Sequence, residues 1–393
     1  MKLFDNKERI DSNPANHLDN TYDFYDRSSL KQVNQIRNTL NQWFDHYPQS
    51  EKSELKTRFH SEFSAAFFEL FLHELFLNQG FQLEPHPDVP NTTKKPDFLV
   101  KGNGLEFYLE AKESTDKSNA ERSIENRINK LYDEINQTET HNFFFRINEL
   151  KLKTSEQPSG KRVRLFLEKQ LINFDPDIIT EQLKTNGLDG TDSINYEDDN
   201  LKLVISLIPK SKDARGKDGM RPIGIYPFDS FMGGADESIK SAIKKKATRY
   251  GKPDKPYIIC INATSEKGMD HHDMMNALFG SLQISFSTDP NNKDEKWTRA
   301  MDGAFLNTNG PRYTRVSGIF ITHVNTANIH VANHWLIKHP FAAKELVMDE
   351  FKLQKIEVID NKIQTIKGDS IKEILNIPED WMNLEINTAH NNG

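Results

Sequence analysis

Two short stretches place acids and a lysine at strand spacing. The first is Pro96-Asp97-Phe98-Leu99-Val100. The second, beyond Gly102-Asn103-Gly104, is Tyr108-Leu109-Glu110-Ala111-Lys112. Alternate residues of a strand share a face, so Glu110 and Lys112 point one way while Leu109 and Ala111 point into the core. Asp97 opens the paired strand, and the Gly-Asn-Gly step between them is a tight-turn signal. In such a hairpin two carboxylates and one ammonium converge. Two carboxylates with room for water make a hard oxygen site suited to Mg²⁺. The ammonium can hold or help deprotonate an attacking water, and it can offset the charge of a phosphate.

These elements need flanking structure. Leu30, Val33, Ile36, Leu40, Trp43 and Phe44 recur at helical steps and predict a helix over Ser29–Tyr47, closed by Pro48. A second helix is expected over His60–Asn78, with Gly80 as its stop. It is apolar nearly all round, as in a helix packed on most sides. Strands are expected at Phe81–His86, Asp97–Val100 and Leu105–Ala111. A helix at 118–137, a strand at Asn142–Leu152 and a helix at Arg162–Asn173 follow. Thr185–Asn200 reads as an exposed loop. The remainder alternates: strands at Leu201–Pro209, Pro256–Asn262 and Val316–His323, with helices at Ser238–Tyr250 and Asp273–Phe279. The order predicts an α/β fold with a mixed sheet.

The motif resembles that of the PD-(D/E)XK, or restriction-endonuclease-like, nuclease superfamily, here as Pro96-Asp97 with Glu110-Ala111-Lys112. Upstream, Phe68-Glu69-Leu70 sits eleven residues before Gly80-Phe81. This looks like the Mrr-type enzymes, where an acidic helix residue precedes a Gly-aromatic step into the first core strand. The tripeptide alone is common, as in Glu54-Leu55-Lys56 and Glu149-Leu150-Lys151. Only the 96–112 stretch joins an aspartate opening one strand, an acid and lysine on one face of the next, and an acidic helix before them. The resemblance implies Asp97 and Glu110 as ligands of Mg²⁺ or Mn²⁺, Lys112 as the catalytic lysine and Glu69 as a supporting acid. Glu62, seven residues earlier, is a rival for that last role.

The family core is helix, three strands, helix, strand, and the elements over 60–152 follow that order. The expected organisation is therefore an N-terminal helical extension (1–59), a nuclease-like domain (60–184) and an α/β C-terminal region (201–393). That region is either a separate partner-binding part or integrated with the core. The expected activity is Mg²⁺-dependent endonucleolytic hydrolysis of DNA, in defence against foreign DNA or in DNA processing. A homodimer would suit cutting of both strands. The alternative is a catalytically inactive nuclease fold that binds nucleic acid or a partner protein.

Composition sets outer bounds. The chain has 393 residues with 25 Phe, 10 Tyr and 4 Trp, enough aromatic bulk for a sizeable core. No apolar run reaches the roughly 18–20 residues of a spanning helix. The N-terminus lacks the apolar region of a signal peptide. Cys260 is the single cysteine, so internal disulfides are excluded, and a cytoplasmic setting is expected. A net charge of −7 requires any DNA contact to use local basic surface. The candidates are Arg122, Arg127 and Lys130 after the motif, and Lys210, Lys212, Arg215 and Lys217 on a glycine-containing loop. The basic helix with Lys240, Lys244, Lys245, Lys246 and Arg249 reads chiefly as a solvated face. A third chemistry, a histidine-based metal phosphohydrolase, would centre on His272-Asp273, with His330 and His334 at i, i+4 spacing.

Overall fold

The computed structural model describes residues 1–114, 119–217, 221–227, 235–264, 270–286, 295–378 and 381–382. It divides into two compact units. Residues 1–13, 20–116 and 232–393 form the first, and 14–19 with 117–231 form the second. The expected partition at 59, 184 and 201 differs from this one. The larger piece of the second unit, 117–231, is inserted in sequence between the 20–116 and 232–393 segments of the first. Among the described residues no helix is long and apolar enough to cross a membrane.

The first unit opens with helices α1 (Thr21–Arg27), α2 (Lys31–His46), α3 (Lys52–Ser61) and α4 (Phe63–Leu77), then strands β1 (Gln82–Pro85), β2 (Phe98–Gly102) and β3 (Leu105–Ser114). The helix expected over 60–78 is broken at Glu62, whose backbone leaves the helical region at φ −141° and ψ 54°. The second unit holds α5 (Asn119–Ile135), β4 (Phe143–Leu152), α6 (Gly160–Leu171), α7 (Pro176–Asn186), β5 (Ser193–Glu197), β6 (Leu201–Pro209) and β7 (Ile223–Ile225). Its sheet runs β5-β6-β4-β7. β5 lies where an exposed loop was expected. Its buried Ile194 and Tyr196 alternate with exposed residues, as befits an edge strand.

The first unit resumes with α8 (Ala235–Ala247), β8 (Tyr257–Ala263) and α9 (His271–Phe279). The hairpins β9 (Leu282–Phe286) with β10 (Glu295–Arg299), and β11 (Leu306–Asn307) with β12 (Gly310–Pro311), come next. Strands β13 (Gly318–Thr322), β14 (His334–Lys338), β15 (Lys355–Ile359) and β16 (Lys362–Ile366) and helix α10 (Ile371–Ile374) complete it. One mixed sheet of order β1-β2-β3-β8-β13-β14-β15-β16 runs through the whole unit. β2 pairs antiparallel with both β1 and β3, whereas β8 lies parallel to β3 and to β13. A parallel neighbour needs a crossover connection, and here it contains α8.

Side-chain alternation sorts the two faces of this sheet. Phe107, Leu109, Ile258, Cys260 and Phe320 belong to the apolar cluster that holds α2 and α4. Tyr108, Ile259, Ile261, Ile319 and Ile321 belong to the cluster that holds α8 and α9. All seven residues of β8 are buried, as a strand covered on both faces requires. The β2–β3 turn is Asn103-Gly104, with φ of 51° and 76°, the two left-handed positions of a type I′ hairpin. At Gly102 a side chain would strike the carbonyl of Gly80 at 2.9 Å and Cα of Phe81 at 3.1 Å. The hairpin thus packs backbone to backbone on the end of α4.

Candidate active site

The site forms where β2 begins and β3 continues past it. Phe98 pairs with Leu109, so Asp97, one residue before β2, stands opposite Glu110. Residues directly opposite in an antiparallel pair share a face. The Asp97 carboxylate accepts a hydrogen bond from the Ala111 N–H at 2.6 Å. Glu110 and Lys112 lie on the same face of β3 by alternation, and Leu109 and Ala111 pack into the opposite cluster. Burial, together with the nearby charges of Glu110 and Glu69, pushes the Asp97 carboxyl up to about 7.

Glu69 is buried on α4 and held at both oxygens. Tyr47 Oη donates to Oε1 at 2.6 Å and Arg58 donates to Oε2 at 2.5 Å. Burial and the Glu69 charge raise the Tyr47 hydroxyl pKa, so Tyr47 acts as a neutral donor. Glu62 is exposed at the junction of α3 and α4 and does not share a helix with Glu69. Glu69→Gln removes the charge facing Arg58 and is expected to cost about 1–3 kcal/mol of stability. Glu62→Gln should stay within about 0.5 kcal/mol. Urea midpoints at unchanged slope measure both, and equal losses would contradict the difference in burial.

The face that carries Glu110 is not open. Glu110 is 1% exposed and lies beneath α8 and the residues just after it. Lys246 Nζ donates to Oε1 and Tyr250 Oη to Oε2, with Arg249 Nε 3.6 Å from Oε1. Burial and the Glu110 charge keep the Tyr250 hydroxyl protonated. The basic helix read as a solvated face therefore supplies a cation to the centre of the motif. The available signal was positional. A parallel strand after the motif needs a covering helix, and Lys246 in its last turn and Tyr250 just beyond its end both reach Glu110. Among the described residues no group of three or more His, Cys, Asp or Glu side chains is gathered as a metal centre.

The other expected contacts fall elsewhere. Arg122, Arg127 and Lys130 sit on α5 in the second unit, so they do not belong to the crossover helix of the motif sheet. Arg127 donates to the carbonyls of Thr154 and Glu156, a structural use. Lys210 is buried, donating to the Thr140 carbonyl at 2.9 Å over the ring of Phe144. That corrects its reading as a loop cation. Arg215 pairs with Asp177 at 2.9 Å. Lys212 and Lys217 are exposed, and residues 218–220 of this loop lie outside the described residues.

Of the histidine candidates, His272 is exposed in the first turn of α9. Asp273 forms the capping box of α9 with Asp270. His334 lies on strand β14 and accepts from the Gln354 N–H, whereas His330 lies in a turn. The pair is therefore not helical. In comparisons with known proteins, no family model, curated protein or solved structure matches this chain.

Proposed function

We propose that the protein is a metal-dependent nuclease of the PD-(D/E)XK type, hydrolysing phosphodiester bonds of DNA with Mg²⁺ or Mn²⁺. The observation that carries this reading is Asp97 facing Glu110 at the start of β2, with Lys112 on the Glu110 face of β3. The element order supports it: α4, then antiparallel β1, β2 and β3, then α8 and the parallel β8 follow the helix, three strands, helix, strand order of that core. Burial first, and then the charges of Glu110 and Glu69, make the ionised Asp97 costly, and a divalent cation with oxygen preference would offset that cost. On that basis Asp97 and Glu110 fit the ion, with Glu69 in support. Glu110 would have to exchange its Lys246 contact to ligate.

When bound, the ion supplies Lewis acidity and a more acidic water. The chain's own groups do the rest. Lys112 offers an ammonium to hold the attacking water or offset phosphate charge. Tyr250 fixes the Glu110 carboxylate, and the Ala111 N–H fixes that of Asp97. The biological setting we propose is the cytoplasm, in defence against foreign DNA or in DNA processing, with a homodimer for double-strand cutting. A partner protein on the C-terminal half belongs to the same proposal.

A second reading has its own support. Both Glu110 oxygens are already occupied by protein donors, as in a nuclease fold that binds nucleic acid or a partner without cutting. Incubation with supercoiled plasmid, linear duplex, single-stranded DNA and RNA, each with Mg²⁺ or Mn²⁺, separates the two. The nuclease reading expects divalent-dependent nicks in DNA. Absence of cleavage on every substrate with either ion would favour the binding protein.

A further inference from the structure

We propose that a cleft of about 480 Å³ on the other side of α8 binds a phosphate group, either in the backbone of a polynucleotide or on a free nucleotide. The polynucleotide case rests on the nuclease reading. Lys240, Ser241 and Lys244 of α8 line it together with Arg312 and Tyr313. Two carboxylates, Glu237 and Asp302, also line it, and both already have donors. Asp302 accepts from the Ser281 N–H at 2.8 Å and from its hydroxyl at 2.7 Å, and Glu237 pairs with Lys240 at 3.0 Å. Among the described residues, Lys244 and Arg312 are the lining cations without a carboxylate partner.

Arg312 is anchored at its backbone N–H and carbonyl and, through its side chain, on Tyr313. Its N–H donates to the Phe305 carbonyl at 2.9 Å. Its carbonyl accepts from Nε2 of the buried His339 at 2.8 Å. Nδ1 of that ring accepts the Phe341 N–H, which assigns the proton to Nε2. The guanidinium lies over the Tyr313 ring at 4.7 Å and donates to Tyr313 Oη at 2.7 Å. Tyr313 itself adopts φ 51°, an uncommon conformation for a bulky residue and of the kind found at ligand clamps. At the floor, Gly303 admits no side chain, because Gly280 N and Leu278 O stand 2.5 Å from where its Cβ would be. A guanidinium stacked on a tyrosine, sharing one cleft with a lysine, suits phosphate oxygens.

The cleft is distinct from the acidic site. Lys244 and Lys246 are two residues apart, so they leave α8 on roughly opposite sides. A helix is about 10 Å across, a distance that a polynucleotide strand covers within a few nucleotides, since its axial rise is about 3.4 Å per charge. A strand cut at Asp97 and Glu110 could thus extend into the cleft.

The test measures anisotropy of a labelled DNA duplex in EDTA, where no cleavage intrudes, across a salt series. Lys244→Gln with Arg312→Gln should weaken binding by about tenfold and flatten the salt slope by up to about 0.9 per lost contact. Lys245→Gln, which matches the single Lys244→Gln in charge but lies on an exposed neighbour outside the cleft, should stay within about twofold. Lys244 is exposed, so its single variant remains informative if Arg312→Gln fails to fold. Calorimetric titration of thymidine monophosphate and inorganic phosphate forms the second arm. Binding of these that is lost in the double variant, with duplex affinity unchanged, would assign the phosphate to a free nucleotide. Equal losses from Lys245→Gln and the double variant, or no binding of any probe that depends on Lys244 and Arg312, would overturn the cleft. The nuclease reading is judged separately, by cleavage with Mg²⁺.

Discussion

Asp97→Ala should abolish divalent-dependent DNA cleavage, and Asp97→Asn should do the same while making the ion-free protein more stable at pH 8. The two effects have one origin. Asp97 faces Glu110, with Glu69 near, in surroundings that resist its charge. A carboxyl that is raised to about 7 in the folded state and ordinary in the unfolded chain binds more protons when folded. Stability therefore falls as pH rises from about 4 to about 7, then levels off. Asparagine keeps the acceptor for the Ala111 N–H and removes the titration. In EDTA, the wild-type melting temperature should decline across that window and that of Asp97→Asn should not. Mn²⁺ should raise the wild-type value by mass action and leave the variant unchanged. A variant that is less stable than wild type at pH 8, yet still cuts, would contradict both halves.

Lys246→Met should destabilise the ion-free protein by about 3 kcal/mol, the low end of the range for a broken buried pair. Glu110 is 1% exposed, and Lys246 supplies its nearest cation. The low end applies because Tyr250 and Arg249 remain close. Lys245→Met, on the exposed side, should change stability by no more than about 0.5 kcal/mol. The ammonium and a divalent ion compete for the same Oε1, so Mn²⁺ should raise the melting temperature more in Lys246→Met than in wild type. Thermal unfolding in EDTA and in Mn²⁺ measures this. An equal or smaller ion-induced shift in the variant would mean that Glu110 is not a ligand.

The motif was legible because strand periodicity and turn chemistry are local. Glu110 and Lys112 share a face in any strand that contains both, and Asn103-Gly104 specifies the turn that sets Asp97 opposite Glu110. The closing half of the core was assigned to 118–152 because α5 carries a good apolar stripe and β4 a good apolar alternation. A stripe shows that a helix packs but not on which sheet. The discriminating signal lay in the strands. A parallel strand covered on both faces needs a continuous apolar run, as in Tyr257-Ile258-Ile259-Cys260-Ile261. β4 instead alternates buried and half-buried residues along Phe143–Ile147. The Lys246 contact depends on which helix covers β3, more than a hundred residues away in sequence, and the cleft depends on loops joined only in the tertiary fold.

On the nuclease reading, Asp97, Glu110 and Lys112 hydrolyse phosphodiester bonds with a divalent ion, and the initial rate of supercoiled-plasmid nicking in Mg²⁺ by wild type, beside Lys112→Ala of equal melting temperature, tests this. Wild type should nick the plasmid and stop in EDTA, and Lys112→Ala should be slower by about 10²–10⁴-fold, the range for a group that assists proton transfer. Nicking that persists at the wild-type rate in Lys112→Ala would contradict it and move the chemistry elsewhere, with His272→Ala as the next variant to measure.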